Sequence, residues 1–112
     1  MSKITTHVLD VSLGRPAANI AVVLESRSGT GTWAEIGRGV TDADGRLKEF
    51  APEKDLPAGV YRLTFETGAY FAARQIATLY PQVTILFETK VGSHYHIPLL
   101  LSPFGYSTYR GS

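Results

Sequence analysis

Apolar and polar residues alternate along this chain in short runs, each closed by turn-forming residues, and that pattern limits the possible folds most. A strand sends successive side chains to opposite faces, so a two-residue period is what a half-buried strand requires. "KITTHVLDVS" (3–12) puts Ile4, Thr6 and Val8 on one face and Thr5, His7 and Leu9 on the other. "NIAVVLESRS" (19–28) follows the turn-like "LGRPA", and "SGTG" (28–31) leads into a third run with Trp33 and Ile36 to Val40. "DADG" (42–45) suits a tight turn, because Asp-Gly tolerates positive φ, and a short "RLKEF" comes after it. Beyond the loop "APEKDLPAG" the alternation returns in 60–67, 82–88, 94–102 and 105–110. One run breaks it: "GAYFAARQIATLY" (68–80) carries Ala69, Ala72, Ala73, Ile76 and Ala77 at helical spacing, with Pro81 to stop the helix. About eight short strands at the 8–12-residue turn spacing of sandwiches predict an all-β, two-sheet β-sandwich with one short helix. The expected unit is one domain over residues 1–112.

Charge narrows the partners. Eleven basic and ten acidic residues give a net charge of +1, scattered along the chain, so neither nucleic acid nor an anionic membrane is an expected partner. There is no cysteine, which excludes thiolate nucleophiles, disulfides and sulfur-ligated metals. The start "MSKITTHVLD" lacks the apolar core of a signal peptide, so the expected location is cytoplasmic.

The chain has three histidines, His7, His94 and His96. Period-2 parity puts His94, His96, Pro98 and Leu100 on one strand face and Tyr95, Ile97, Leu99 and Leu101 on the other, which is the expected core. The outward face then mixes histidine with apolar residues, as does His7 with Leu9, and such a face suits a pocket or a subunit interface. Pro98 has no N–H and belongs on an edge or at a bulge. Three imidazoles could ligate zinc, but no acidic residue lies close in sequence to orient them, and no metal or other cofactor is expected. Serines are plentiful without a Gly-x-Ser-x-Gly elbow, so a serine triad gains no support. Asp10 reads as a strand-end turn former and Arg46 as a loop cation. The terminal "SPFGYSTYRGS" (102–112) spends Tyr106, Tyr109 and Arg110 where small domains usually fray, and such a tail should be tied down.

Four stretches in register change the weight of these residues: "THVLD" (6–10), "DGR" (44–46), "HYHIPLLLSP" (94–103) and "YRGS" (109–112). Together they resemble the signature segments of the 5-hydroxyisourate hydrolases, the transthyretin-related enzymes of urate breakdown, and "GVYRLTFETGAYF" (59–71) is similar to that family's strand-to-helix passage. The resemblance implies a transthyretin-like sandwich assembled as a homotetramer, with active sites at the dimer–dimer interface. It implies hydrolysis of 5-hydroxyisourate at the N1–C6 amide to 2-oxo-4-hydroxy-4-carboxy-5-ureidoimidazoline. The implied catalytic residues are His7, Arg46, His96 and Ser112, with Tyr109, Arg110 and Gly111 joining His7 and Arg46 in binding substrate. Water activation falls to the His7/His96 pair without a choice between them, and His94 is a lesser candidate or a supporting residue. The alternative is a non-catalytic, transthyretin-like small-molecule binder; transthyretin, on the same resemblance, lacks the His, Arg and His set and the "YRGS" ending.

Overall fold

The computed structural model describes residues 3–50 and 56–111. In chain order the elements are β1 (Lys3–Asp10), β2 (Arg15–Pro16), β3 (Ala21–Arg27), β4 (Trp33–Val40), β5 (Arg46–Leu47), β6 (Gly59–Phe65), α1 (Thr67–Ala73), β7 (Val83–Thr89), β8 (His94–Ser102) and β9 (Gly105–Thr108). One sheet runs β2-β1-β8-β9 with β5 also paired to β1, and the other runs β4-β3-β6-β7. The eight strands expected from alternation all form, and the ninth is β2, a two-residue pairing inside the "LGRPA" turn. No helix among the described residues is long and apolar enough to cross a membrane.

The two sheets face each other across the apolar parities. Ile4 and Val8 of β1, with Tyr95, Ile97, Leu99 and Leu101 of β8, meet Val22, Leu24, Tyr61, Leu63, Phe65, Val83 and Ile85 of the second sheet, all buried. Each such side chain contributes roughly 1.5–3 kcal/mol by leaving water. That burial, rather than local propensity, holds the strands in register.

The helix departs from expectation. It starts at Thr67 and ends at Ala73, well short of Pro81. Gln75 takes φ 58°, its N–H reaching the Ala72 carbonyl, while the Ile76 N–H reaches that of Phe71. These bonds close the helix in a Schellman motif, with Ile76 packed on the core near buried Phe71. Pro81 plays a different part: its carbonyl accepts the Gly68 N–H at the helix start.

Pro98 also departs. It sits in β8, an interior strand between β1 and β9, not on an edge. The His96 carbonyl accepts the Gly111 N–H, so the backbone groups of His96, Pro98 and Leu100 all turn towards β9. Pro98 has no N–H to offer there. Its carbonyl takes the Thr108 hydroxyl instead (2.7 Å), and the β8–β9 ladder lapses at Tyr109 and Arg110 before an isolated bridge at Gly111. Pro98 is buried within its own chain, whereas Leu9 and Leu100, side by side across β1 and β8, are half-buried.

Asp10 ties the end of β1 to the helix. Its Oδ1 accepts the Ser12 hydroxyl and the Ser12 and Leu13 N–H groups, and its Oδ2 accepts the Tyr70 hydroxyl at 2.7 Å. Burial alone would raise this carboxyl, but the hydrogen bonds outweigh burial and hold it below its ordinary 3.8. Asp10→Ala strands several donors and is expected to cost about 3 kcal/mol, lowering Tm by roughly 10 °C or more in a melt. Because the folded value is depressed, the carboxylate's contribution is complete above pH 3.8 and fades as pH falls below it. The Tm gap between the wild type and Asp10→Asn should therefore narrow in acid.

Candidate active site

The chain's three histidines meet on the outer face of the first sheet. The parallel pairing of β1 with β8 sets Lys3 beside His94 and Thr5 beside His96. Thr5 is a site residue that alternation alone does not single out. Its hydroxyl lies 3.0 Å from His94 Nε2 and 2.8 Å from His96 Nδ1, so one buried side chain bridges both rings. Parity had put Thr5 on the His7 face; what alternation could not supply was the strand lying alongside.

Arg46 arrives from the other side of β1. In the "DADGR" turn, Asp42 Oδ1 accepts the N–H groups of Asp44 and Arg46, and Gly45 takes φ 74°. Any Cβ at Gly45 would stand 2.4 Å from the Val8 carbonyl oxygen, so only glycine lets the turn dock on β1. Docking pairs Arg46 with His7 across the strands. It also presents the Asp44 carbonyl to His7 Nε2 at 2.9 Å. A carbonyl only accepts, so Nε2 carries the proton and Nδ1 is left for other chemistry.

Among the described residues, Lys3, Thr5, Thr6, His7, Arg46, Lys48, His94 and His96 line a groove of about 510 Å³, and none of these is a carboxylate. The Arg46 guanidinium has no hydrogen-bond or ion-pair partner among the described residues and is open to a ligand. His96 is held neutral below the usual 6.5, first by burial and then by repulsion from His7, His94 and Arg46. A second concavity of about 450 Å³ lies between the helix and β2, lined by Arg15, Glu66, Tyr70 and Arg74 among others. It contains no histidine, and its tyrosine is committed to Asp10.

The tail is fastened mostly within its own chain. Tyr106 meets Tyr80 edge-on at 5.2 Å, and the Gly111 N–H bonds the His96 carbonyl at 2.8 Å. A Cβ on Gly111 would stand 2.5 Å from His96 Cδ2, so Gly111 lies directly against the imidazole. Arg110 is not brought to the groove. Its guanidinium stacks 4.3 Å over the Tyr95 ring, on the opposite face from His96. Tyr109 is 56% exposed, and Ser112 lies outside the described residues.

Thus His7, Arg46 and His96 share one groove with His94, the lesser candidate on the same strand face, Gly111 abuts it, and Thr5 joins it unforeseen. Residues 4–111 match the model of the HIUase/Transthyretin family.

The chain belongs to that family. Within it, the chain is 46% identical to the 5-hydroxyisourate hydrolase of Caulobacter vibrioides, with the whole of both chains covered. A solved 5-hydroxyisourate hydrolase from Klebsiella pneumoniae is 43% identical, with a TM-score of 0.85, covering 98% of this chain and 99% of that one. Sea bream transthyretin in complex with thyroxine superposes with a TM-score of 0.91 at 33% identity, covering 97% and 94%. Backbone similarity therefore does not separate the hydrolases from the transthyretins. Side chains must.

Proposed function

We propose that the protein hydrolyses 5-hydroxyisourate at the N1–C6 amide to 2-oxo-4-hydroxy-4-carboxy-5-ureidoimidazoline, a step of urate breakdown. The observation that carries this reading is the convergence of His7, Arg46 and His96 on one groove in a chain so similar to 5-hydroxyisourate hydrolases. Amide hydrolysis needs a base for water, positive charge at the developing oxyanion and a proton for the leaving nitrogen. His96 is the base: it stays neutral at physiological pH, and its Nε2 has no partner among the described residues. Arg46 offers a planar donor fork to the substrate oxygens and the oxyanion. His7, with Nε2–H anchored on Asp44, addresses the substrate through Nδ1. Tyr109 and Ser112 complete the substrate wall from the tail, and no metal takes part.

The likeness to a thyroxine-bound transthyretin favours a second reading, a small-molecule carrier without catalysis. One experiment separates the two. Freshly generated 5-hydroxyisourate, followed in the ultraviolet, should decay faster with the protein than without it; an unchanged decay supports the carrier.

Protonation supplies a sharper check. A base whose pKa is depressed stays active below its ordinary value, so the acid limb of kcat/KM should have its midpoint below pH 6.5. Removing a neighbouring cation in Arg46→Gln should move that midpoint up. A midpoint at or above 6.5 in the wild type would take His96 out of the role of base.

Assembly is part of the proposal. β7 and β9 end their sheets, and Leu13, Leu79 and Phe104 are exposed around the turns. These features, with half-buried Leu9 and Leu100, support a homotetramer whose active sites lie between dimers. Light scattering at micromolar concentration should read four chains; a stable monomer would remove the intersubunit site. A cytoplasmic location completes the reading and is checked by cell fractionation.

A further inference from the structure

The groove holds two histidines that the proposed chemistry uses and one, His94, that it does not. Among the described residues that line it there is also no carboxylate to orient an imidazole, the part aspartate plays in serine hydrolases. What His96 has at Nδ1 is the Thr5 hydroxyl, and what that hydroxyl has on its other side is His94 Nε2. A hydroxyl has one proton to donate. With both rings neutral, Thr5 donates to one of these two nitrogens and accepts from the other, so one of them carries a proton and its counterpart does not. The tautomers of the two rings are thereby locked together.

We propose that His94, Thr5 and His96 form a proton relay in which Thr5 sets the tautomer of His96 and His94 stores the charge that His96 acquires when it activates water. This rests on the hydrolytic reading above. In the resting arrangement His96 Nδ1–H donates to Thr5 Oγ1, and the Thr5 hydroxyl donates to His94 Nε2. His96 Nε2 is then a lone pair, the form a base requires. When water attacks the amide carbon, His96 Nε2 takes one of its protons. His96 passes its Nδ1 proton to Thr5, and Thr5 passes its own to His94 Nε2. The positive charge now sits on exposed His94, and His96 is neutral with its proton on Nε2. As the C–N bond breaks, Nε2 gives that proton to the leaving nitrogen. The two inner protons move back, and both rings regain their starting forms. The second proton of the water leaves when the new carboxylic acid ionises, so atoms and charge balance over the cycle.

The surroundings favour moving the charge outward. His7 on β1 and Arg46 on β5 line the same groove as His96 and repel a charge on its ring, which burial also disfavours. A lasting imidazolium there is costly, whereas His94, across the Thr5 bridge, is exposed to water. Thr5 and His94 are thus positioning residues: they act through His96.

The test uses near-isosteric and exposed changes. Thr5→Val keeps the shape and removes the hydroxyl; kcat should fall at least about tenfold with KM within about threefold, and Thr5→Ser should recover most of the loss. His94→Ala, at an exposed position that threatens the fold little, should show a similar fall in kcat. Imidazole at tens of millimolar should restore it, while leaving the wild type unchanged. Full kcat in His94→Ala at low buffer concentration overturns the relay, even if Thr5→Val does not fold. So does a Thr5→Val protein that is folded and fully active. Imidazole ¹⁵N shifts of the substrate-free protein give an independent readout: above the titration of both rings, His94 Nε2 and His96 Nδ1 should hold one proton between them. Two protonated nitrogens facing Thr5 would refute the coupling. If the wild type does not hydrolyse 5-hydroxyisourate, the functional reading fails by itself, and the shifts still decide the bridge.

Discussion

His96→Asn is expected to lower kcat/KM on 5-hydroxyisourate by about 100-fold or more, the usual worth of a positioned acid or base. Asparagine can still hydrogen-bond Thr5, so the packing between β1 and β8 should survive and the melt should move little. What it cannot do is accept a proton from water. The loss should therefore fall on kcat rather than KM, the mark of an interaction made in the transition state. His7→Asn should cost a comparable factor, because the shorter amide loses the Nε2–H anchor on the Asp44 carbonyl and offers no basic nitrogen at the Nδ1 position. Full activity after exhaustive chelation should accompany both results. Stoichiometric zinc, with activity lost on its removal, would replace histidine acid–base chemistry with a metal site. A His96→Asn protein that is folded and fully active would leave the proposed base without a role.

Deleting residues 109–112 is expected to abolish most activity and leave the fold in place. The hairpin above the cut is secured by β9 on β8, by Thr108 on the Pro98 carbonyl and by Tyr106 against Tyr80. The deletion takes away the Gly111 backbone that lies on the His96 ring, together with the exposed Tyr109. Gly111→Ala probes the same contact with one methyl group. Its Cβ cannot stay 2.5 Å from Cδ2, so either the imidazole or the tail must shift, and a loss of at least tenfold is expected. Tyr109→Phe, which keeps the ring, should be milder. A truncated protein that retains its circular dichroism and its full rate would make the tail a purely structural clasp.

What could be read before the structure was whatever depends on near neighbours in sequence. The parity of "HYHIPLLLS" assigns Tyr95, Ile97, Leu99 and Leu101 to the core, and all four are buried. Asp-Gly in "DADGR" marks a turn, and Gly45 occupies it with positive φ. The departures are non-local. The helix is cut at Ala73 because Ile76 gains more by packing on the core than the chain gains from another turn. Pro98 stands in an interior strand because the tail supplies the Thr108 hydroxyl where a backbone pair is missing. The Thr5 bridge depends on which strand lies beside β1 and in what register, and alternation within one strand carries neither fact. For the same reason Arg110 could be placed on the opposite face from Gly111, yet its seat on Tyr95 could not be foreseen.

The parallel pairing of β1 with β8 joins Thr5 to His96, 91 positions apart, and this has a bearing on biosynthesis. During translation β1 is made well before its long neighbour, with six strands and the helix between them. Until then the edge of β1 that β8 will cover has no ladder, a form open to aggregation. Closing so large a loop before any reward arrives makes folding slow for a chain of this size. A nascent chain that stops short of β8 has neither His94 nor His96, and so no groove. With the proposed site, turnover would thus be available only to molecules that have finished synthesis, folding and assembly, and the enzymatic rate of a preparation would track that completed fraction.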